Sequence, residues 1–277
     1  MKKIFGLVMI GILLPTALVL AEGQQEVAEQ VTIKLGSGAN EKNIQYEATK
    51  YFADLVRERT NGQIDIQLFF SGQLGTAADM IDSLQVGGIQ MMQSFPPNWT
   101  SYVPEIGVLN LPFQFSDFDH VRRATDGKVG EELATLVREQ TGVVVLQWWP
   151  HGFRNMYTKR LIENAADMKG LKIRVPPADV FVRTFKLLEA SPVSIPWSEV
   201  YTGLQTGMVE AAEADLSGAL ASGFHEVTDY VIKTGHIYTA SFLVIKEDFL
   251  QQSHRRSEEG PSRSSRRGRG VAVQECS

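Results

Sequence analysis

Apolar and polar positions along this chain switch between two periods. "VTIKLGSG" (31–38) alternates and runs into a glycine turn, the pattern of a strand. Ile44, Ala48, Phe52 and Leu55 then recur at helical spacing, and Asn61-Gly62 supplies a C-terminal stop. "QIDIQLFF" (63–70) returns to alternation. "TAADMIDSLQVGG" (76–88) predicts a short amphipathic helix and "IQMMQSF" (89–95) a third strand. A single helix is predicted over 121–141, ended by Gly142. The apolar, β-branched "VVVLQWW" (143–149) predicts a buried parallel strand.

The same unit then returns. "LKIRVP" (171–176) follows a turn at Lys169-Gly170 and stops at two prolines, with Leu171, Ile173 and Val175 on one face and Lys172 and Arg174 on the other. Residues 179–189 predict a helix carrying Phe181, Phe185 and Leu188 on one face, and 198–214 a helix running into a strand. "DSLQVGGIQMM" (82–92) and "TGLQTGMVEAA" (202–212) share Leu-Gln-x-Gly-x-[Ile/Val] in one frame. Each reads as a helix, a glycine at positive φ, then a strand. Strand–helix alternation with one copy in each half predicts an α/β fold of two lobes, with parallel sheets in both. Lobe I takes 30–151, with 240–250 returning to it, and lobe II takes 152–239. In open parallel sheets ligands bind beyond the carboxyl ends of strands. Arg174 lies near such an end, and Arg154 soon after the strand at 143–149.

The ends of the chain add a compartment. Lys2-Lys3, the apolar run 4–20 and Val19-Leu20-Ala21 form the pattern of a secretory signal peptide cleaved after Ala21, so an exported, periplasmic protein is expected. No lipobox cysteine follows, and no other run is long enough to span a bilayer. The single cysteine, Cys276, excludes disulfide and thiolate chemistry from the body. From Ser253 onward the text is rich in Arg, Ser and Gly and lacks aromatics; it predicts a disordered, aberrant tail of frameshift or truncation origin. The whole chain has 27 basic and 32 acidic residues; without Lys2, Lys3 and the tail's six Arg and three Glu, residues 22–252 carry a net −10. That balance disfavours nucleic acid as a partner, and a bound anion has to be held by a few local arginines.

Catalytic patterns are absent. His120, His151, His225, His236 and His254 lack zinc spacing, and there is no Gly-x-Ser-x-Gly elbow. "GSGANE" (36–41) is a partial dinucleotide fingerprint without its third glycine and reads as a permissive turn. Asn98-Trp99-Thr100 is a weak glycosylation match, and Glu210 with Glu213 reads as a solvated pair. Trp148 and Trp149 fit either core or a ligand wall. No catalytic residue, metal or cofactor is expected.

The motifs "HGFRN", "MKGLKIRVP" and "SEVYTGLQTGMVE" within 151–214 resemble the solute-binding proteins of tripartite ATP-independent periplasmic (TRAP) transporters, the DctP-type family. "SGQLGTAADMIDSLQVGGIQMM" (71–92) and "IGVLNLPFQF" (106–115) are similar to the same family, so the resemblance covers roughly 30–250. It implies a two-lobed periplasmic-binding-protein-like fold with the ligand cleft between lobes. Such a receptor is a monomer that captures a small organic acid and passes it to a sodium-coupled membrane permease. By resemblance, Arg174 forms a two-pronged salt bridge to the carboxylate, Arg154 gives a second contact and Trp197 stacks on the ligand. A planar guanidinium suits a carboxylate in a way lysine does not. Ala214 stands where the family usually has a ligand-binding Asn, which leaves Asp215 or Glu213 to take a hydroxyl. Phe95, Asn98 and Asn40 are expected as wall residues of the other lobe. Members continue past "LVIKEDFLQQ" into further helices, so the resemblance implies that these C-terminal helices are missing here and that the chain is destabilised. C4-dicarboxylates, sugar acids and 2-oxo acids all fit two arginines and a tryptophan. A receptor for an ATP-driven importer, a periplasmic enzyme on a two-lobed fold and a non-functional truncated binding protein remain the alternatives.

Overall fold

The computed structural model describes residues 30–252; the expected signal peptide and the tail from 253 lie outside the described residues. The first half runs β1 (Val31–Gly36), α1 (Ile44–Arg59), β2 (Ile64–Phe69), α2 (Ala77–Gln85) and β3 (Met91–Ser94). Asn43 caps α1 by accepting from the Gln45 amide, and Thr76 and Asp79 close a reciprocal capping box on α2. α3 (Phe118–Thr125) and α4 (Lys128–Thr141) follow, then the long β4 (Val143–Thr158). The second half runs β5 (Lys172–Val175), α5 (Asp179–Leu187), β6 (Ser191–Ser194), α6 (Val200–Thr206), β7 (Ala211–Asp215) and α7 (Leu216–Ala221), and closes with the long β8 (Tyr230–Lys246).

The strands form one mixed sheet in the order β2-β1-β3-β8-β4-β7-β5-β6. Its two outer triplets, β2-β1-β3 and β6-β5-β7, are parallel and mirror one another in order. β4 and β8 pair antiparallel along almost their whole length, from Val143–Lys246 to Thr158–Tyr230. β3 adds to the far end of β8, and β7 to the far end of β4. Each triplet is therefore completed by the same two strands. The repeated motif sits at equivalent places, α2 into β3 and α6 into β7. Leu84 and Leu204 are both fully buried, Gly87 and Gly207 take φ of 81° and 76°, and Ile89 and Val209 re-enter the core.

Helices cover both faces of each half. Neighbouring strand residues divide between the two sides: Met91 packs with Ile33, Leu35 and Leu243 under α1, whereas Met92 packs with Phe242, Val244 and Trp148 under α2 and α4. In the second half Ile173, Val175 and Ala211 meet Phe181 and Phe185 of α5, while Ala212 and Ala214 meet Val200 and Leu204 of α6. Trp148 belongs to the core, and Trp149 packs against it from the α1 side. No helix of the described residues is long and apolar enough to cross a membrane.

Three expectations are corrected. The helix over 121–141 is two helices, broken at Asp126-Gly127; the junction is so tight that a Cβ on Gly130 would lie 1.8 Å from the Thr125 carbonyl oxygen. The strand at 143–149 is not parallel. It pairs antiparallel with β8, and its register shifts at Val145/Gln147 and at Trp149/Gly152 let the ladder pass Pro150 and continue to Thr158. Arg154 thus lies inside a strand rather than after one. Leu188 does not share the buried face of Phe181 and Phe185: α5 ends at Leu187, and Leu188 is 37% exposed at its C-cap.

Candidate functional site

The carboxyl ends of β1, β3, β5, β6 and β7 converge on one cavity of about 270 Å³. Arg174, Arg154, Trp197, Asp215, Phe95 and Asn98 line it. Glu213 and Asn40 do not, and His151 and Thr239 do.

Arg174 stands one residue before the end of β5. Lys172, two residues earlier on the same face, is exposed, yet Arg174 is only 3% exposed because the cavity wall folds over it. Its Nε donates to the Ile195 carbonyl at 2.9 Å, and its guanidinium carbon lies 5.5 Å from the centre of the Trp197 ring. Among the described residues no carboxylate lies within ion-pair distance of it. Burial, reinforced by Arg154 and opposed by Glu213, pulls its pKa down to about 9. A cation held this way is short of hydrogen-bond acceptors and of counter-charge.

Arg154 is the opposite case. β4 and β7 set Arg154 opposite Asp215, which brings the diagonal neighbour Glu213 under its guanidinium. Nε donates to Glu213 Oε2; one Nη donates to Glu213 Oε1 at 2.7 Å and to the Glu213 carbonyl at 2.6 Å; the other donates to Thr239 Oγ1 at 3.0 Å. Burial would discharge both partners. The contact between them overcomes it, holding Arg154 above and Glu213 below their ordinary pKa. Glu213 is fully buried, with His236 Nε2 3.5 Å away at ion-pair rather than hydrogen-bond distance.

Asp215 ends β7 and caps α7. Its carboxylate accepts from Ser217 Oγ at 2.7 Å, the Gly218 amide at 2.8 Å and His151 Nε2 at 2.7 Å. Burial opposes its ionisation, but these donors win and hold its pKa well below the usual carboxylate range. His151 reaches the cavity because it sits in the irregular stretch of β4. In an unbroken strand it and Arg154, three residues apart, would face opposite ways. "HGFRN" held His151 in view, but no period-based reading reveals a bulge. Thr239 carries no sequence signal at all.

The remaining wall is aromatic and polar. Trp197 packs against Phe224 at 5.4 Å between ring centres, and Phe95 leans on the His151 ring at 4.9 Å. Asn40, instead of lining the cavity, donates from Nδ2 to the Ala221 carbonyl at 2.7 Å, joining the β1–α1 loop to the end of α7. No cluster of three or more His, Cys, Asp or Glu among the described residues is placed to hold a metal ion.

Residues 35–254 match the sequence profile of the bacterial extracellular solute-binding proteins, family 7 (DctP). The chain is 34% identical over 217 residues to the 2,3-diketo-L-gulonate-binding periplasmic protein YiaO of Escherichia coli, covering 78% of this chain and 66% of that protein. It is 29% identical over 236 residues to the sialic acid-binding periplasmic protein SiaP of Vibrio cholerae, covering 85% and 74%. A TRAP periplasmic solute-binding protein of Sulfurospirillum deleyianum, solved with bound succinate, superposes with a TM-score of 0.78 at 31% identity over 81% of this chain and 72% of that one. Another, from Roseobacter denitrificans with bound L-galactonate, gives 0.78 at 30% identity over 81% and 74%. The chain spans about two thirds of the length of the first of these curated relatives.

Proposed function

As a member of the DctP family of extracytoplasmic solute-binding proteins, this chain is, we propose, a receptor that captures a small organic acid between two lobes and delivers it to a TRAP membrane permease, without catalysis. The lobes are 30–151 with 240–250, and 152–239. Arg174 anchors the carboxylate, Trp197, Phe95 and Asn98 wall the acid, and Arg154 adds one remaining donor. Glu213 and Asn40 do not touch the acid: Glu213 holds Arg154, and Asn40 ties the lobes.

One observation carries this reading. Among the described residues Arg174 is buried with a single hydrogen bond and no acidic partner, so its terminal nitrogens are free to donate two parallel hydrogen bonds to a carboxylate. A carboxylate there supplies the missing counter-charge, and a neutral ligand does not. The test is a calorimetric titration of the purified protein with monocarboxylates, dicarboxylates and sugar acids. Charged hydrogen bonds contribute about 1.5–3 kcal/mol each, so Arg174→Ala should weaken the best acid at least about tenfold. An unchanged dissociation constant sinks the anchor. Recovery of the bound acid chemically altered sinks the non-catalytic reading.

A further inference from the structure

Which acid the cavity takes is written in how its charges are already engaged; the inference rests on the receptor reading of the same site. Four ionised side chains meet there. Arg154 and Glu213 neutralise one another, and four of the five Arg154 donors are occupied within the protein. Among the described residues Arg174 has a neutral carbonyl and the Trp197 ring as partners and no carboxylate. Asp215 remains, and its charge depends on what His151 brings to it.

The neighbours of His151 decide that. Ser241 Oγ donates to Gln45 Oε1 at 3.0 Å; a hydroxyl can also accept, so it is the Pro150 carbonyl, an acceptor only, that fixes the Gln45 amide with its nitrogen on that side. Gln45 Nε2 then lies 3.3 Å from the Pro150 carbonyl and 3.0 Å from His151 Nδ1. An amide nitrogen only donates, so Nδ1 is the acceptor and the ring proton sits on Nε2, where it is given to Asp215. In this arrangement the ring is neutral, and the His151–Asp215 pair carries one negative charge. Three of the roughly four acceptor positions of that carboxylate are filled from inside the protein.

The cavity therefore offers one unpaired cation at the end of β5 and one anion at the end of β7. Arg174 is paired across the sheet with Ala212, which puts Asp215 three residues further along β7, roughly 10 Å away. We infer that the His151–Asp215 pair is a specificity element: the site takes an acid with a single carboxylate, bound at Arg174, whose far end presents a hydrogen-bond donor to Asp215, and it turns away diacids. A hydroxyl or an ammonium satisfies the open acceptor position of Asp215. A second carboxylate meets a like charge in a largely apolar pocket, with Arg154 already committed to Glu213.

Matched acids test this. D-Galactonate and galactarate share one six-carbon skeleton and differ in a second carboxylate; D-erythronate and meso-tartrate do the same with four carbons; 4-aminobutyrate carries a distal ammonium. Each is titrated calorimetrically into the full-length protein. The expected result is that a monoacid binds at least about tenfold more tightly than its own diacid. Asp215→Asn, which keeps an N-cap for α7, should shrink that ratio to within about threefold by admitting the diacid. Tighter binding of 4-aminobutyrate than of either hydroxy acid identifies ammonium as the donor, and the reverse identifies hydroxyl. A diacid that binds wild-type protein as tightly as its monoacid overturns the inference and leaves the receptor reading standing. Binding of no acid at all overturns both. Should Asp215→Asn fail to fold, the wild-type ratio alone decides.

Discussion

Two arginines of equal charge line the cavity, and their surroundings give them opposite duties. Arg154 is held by Glu213 and Thr239, so removing one partner strands a buried charge. Glu213→Ala should cost about 3–5 kcal/mol of stability, read as a lower urea midpoint with an unchanged slope. Arg174 has no such partner, and Arg174→Met should leave the unliganded protein as stable as before or more so; a loss as large as that of Glu213→Ala would show Arg174 to be structural. Asp215 adds a pH signature. Its folded pKa is depressed, so its stabilising contribution is complete above its unfolded pKa and is lost as pH falls from there towards the folded value. The gap in melting temperature between wild type and Asp215→Asn should hold steady from pH 7 to about 5 and narrow below about 4; a gap independent of pH contradicts this. That Arg174 lies at the cavity was legible in the sequence, because two prolines stop its short strand and leave it near the carboxyl end; the anchoring role came from the family resemblance alone. The engagement of Arg154 was not, because Glu213 lies 59 residues away and meets it only through the β4–β7 register.

Elements show the same division. The helix–glycine–strand unit was legible twice because its signals are local: an apolar helical face, then a glycine that must take positive φ. Gly207 is left-handed at φ 76° with open space where a Cβ would stand, so Gly207→Ala meets no clash and pays only in backbone strain. A loss of about 1 kcal/mol is expected in a denaturant melt; no change would mean that α6 ends without needing this conformation. β4 was misread as short and parallel because a strand covered on both faces reads as continuously apolar whichever way its neighbours run, and because a proline normally ends such a run. Its bulges depend on β8, which no local pattern announces. Thr239 and Ser241 are buried polar positions in the middle of β8, and each is explained only by a distant partner, Arg154 and Gln45.

At the scale of the molecule the polar contacts that join the two halves include Asn40 to Ala221 and His151 to Asp215. On the receptor reading proposed above, the Asn40 bond helps to hold the halves together without lining the cavity, so Asn40→Ala should speed release of a bound acid several-fold, by about the worth of one hydrogen bond, with association little changed. Stopped-flow rates check this, and a slower association with unchanged release would place Asn40 in the encounter step instead. The two-lobed plan was legible from the repeated unit, but the way the lobes share a sheet was not. That sharing fixes an order of events. β3 has no partner on its inner side, and β4 none for its first half, until β8 is present. Neither half can finish its hydrogen-bond ladder from its own stretch of chain, and the closing contacts join residues about as far apart as Met91 and Ile245. In kinetic terms this is a fold of high contact order whose halves do not mature one after the other. A chain emerging in sequence stays open along two strand edges until residue 246 is available, and only then does it close as one cooperative unit.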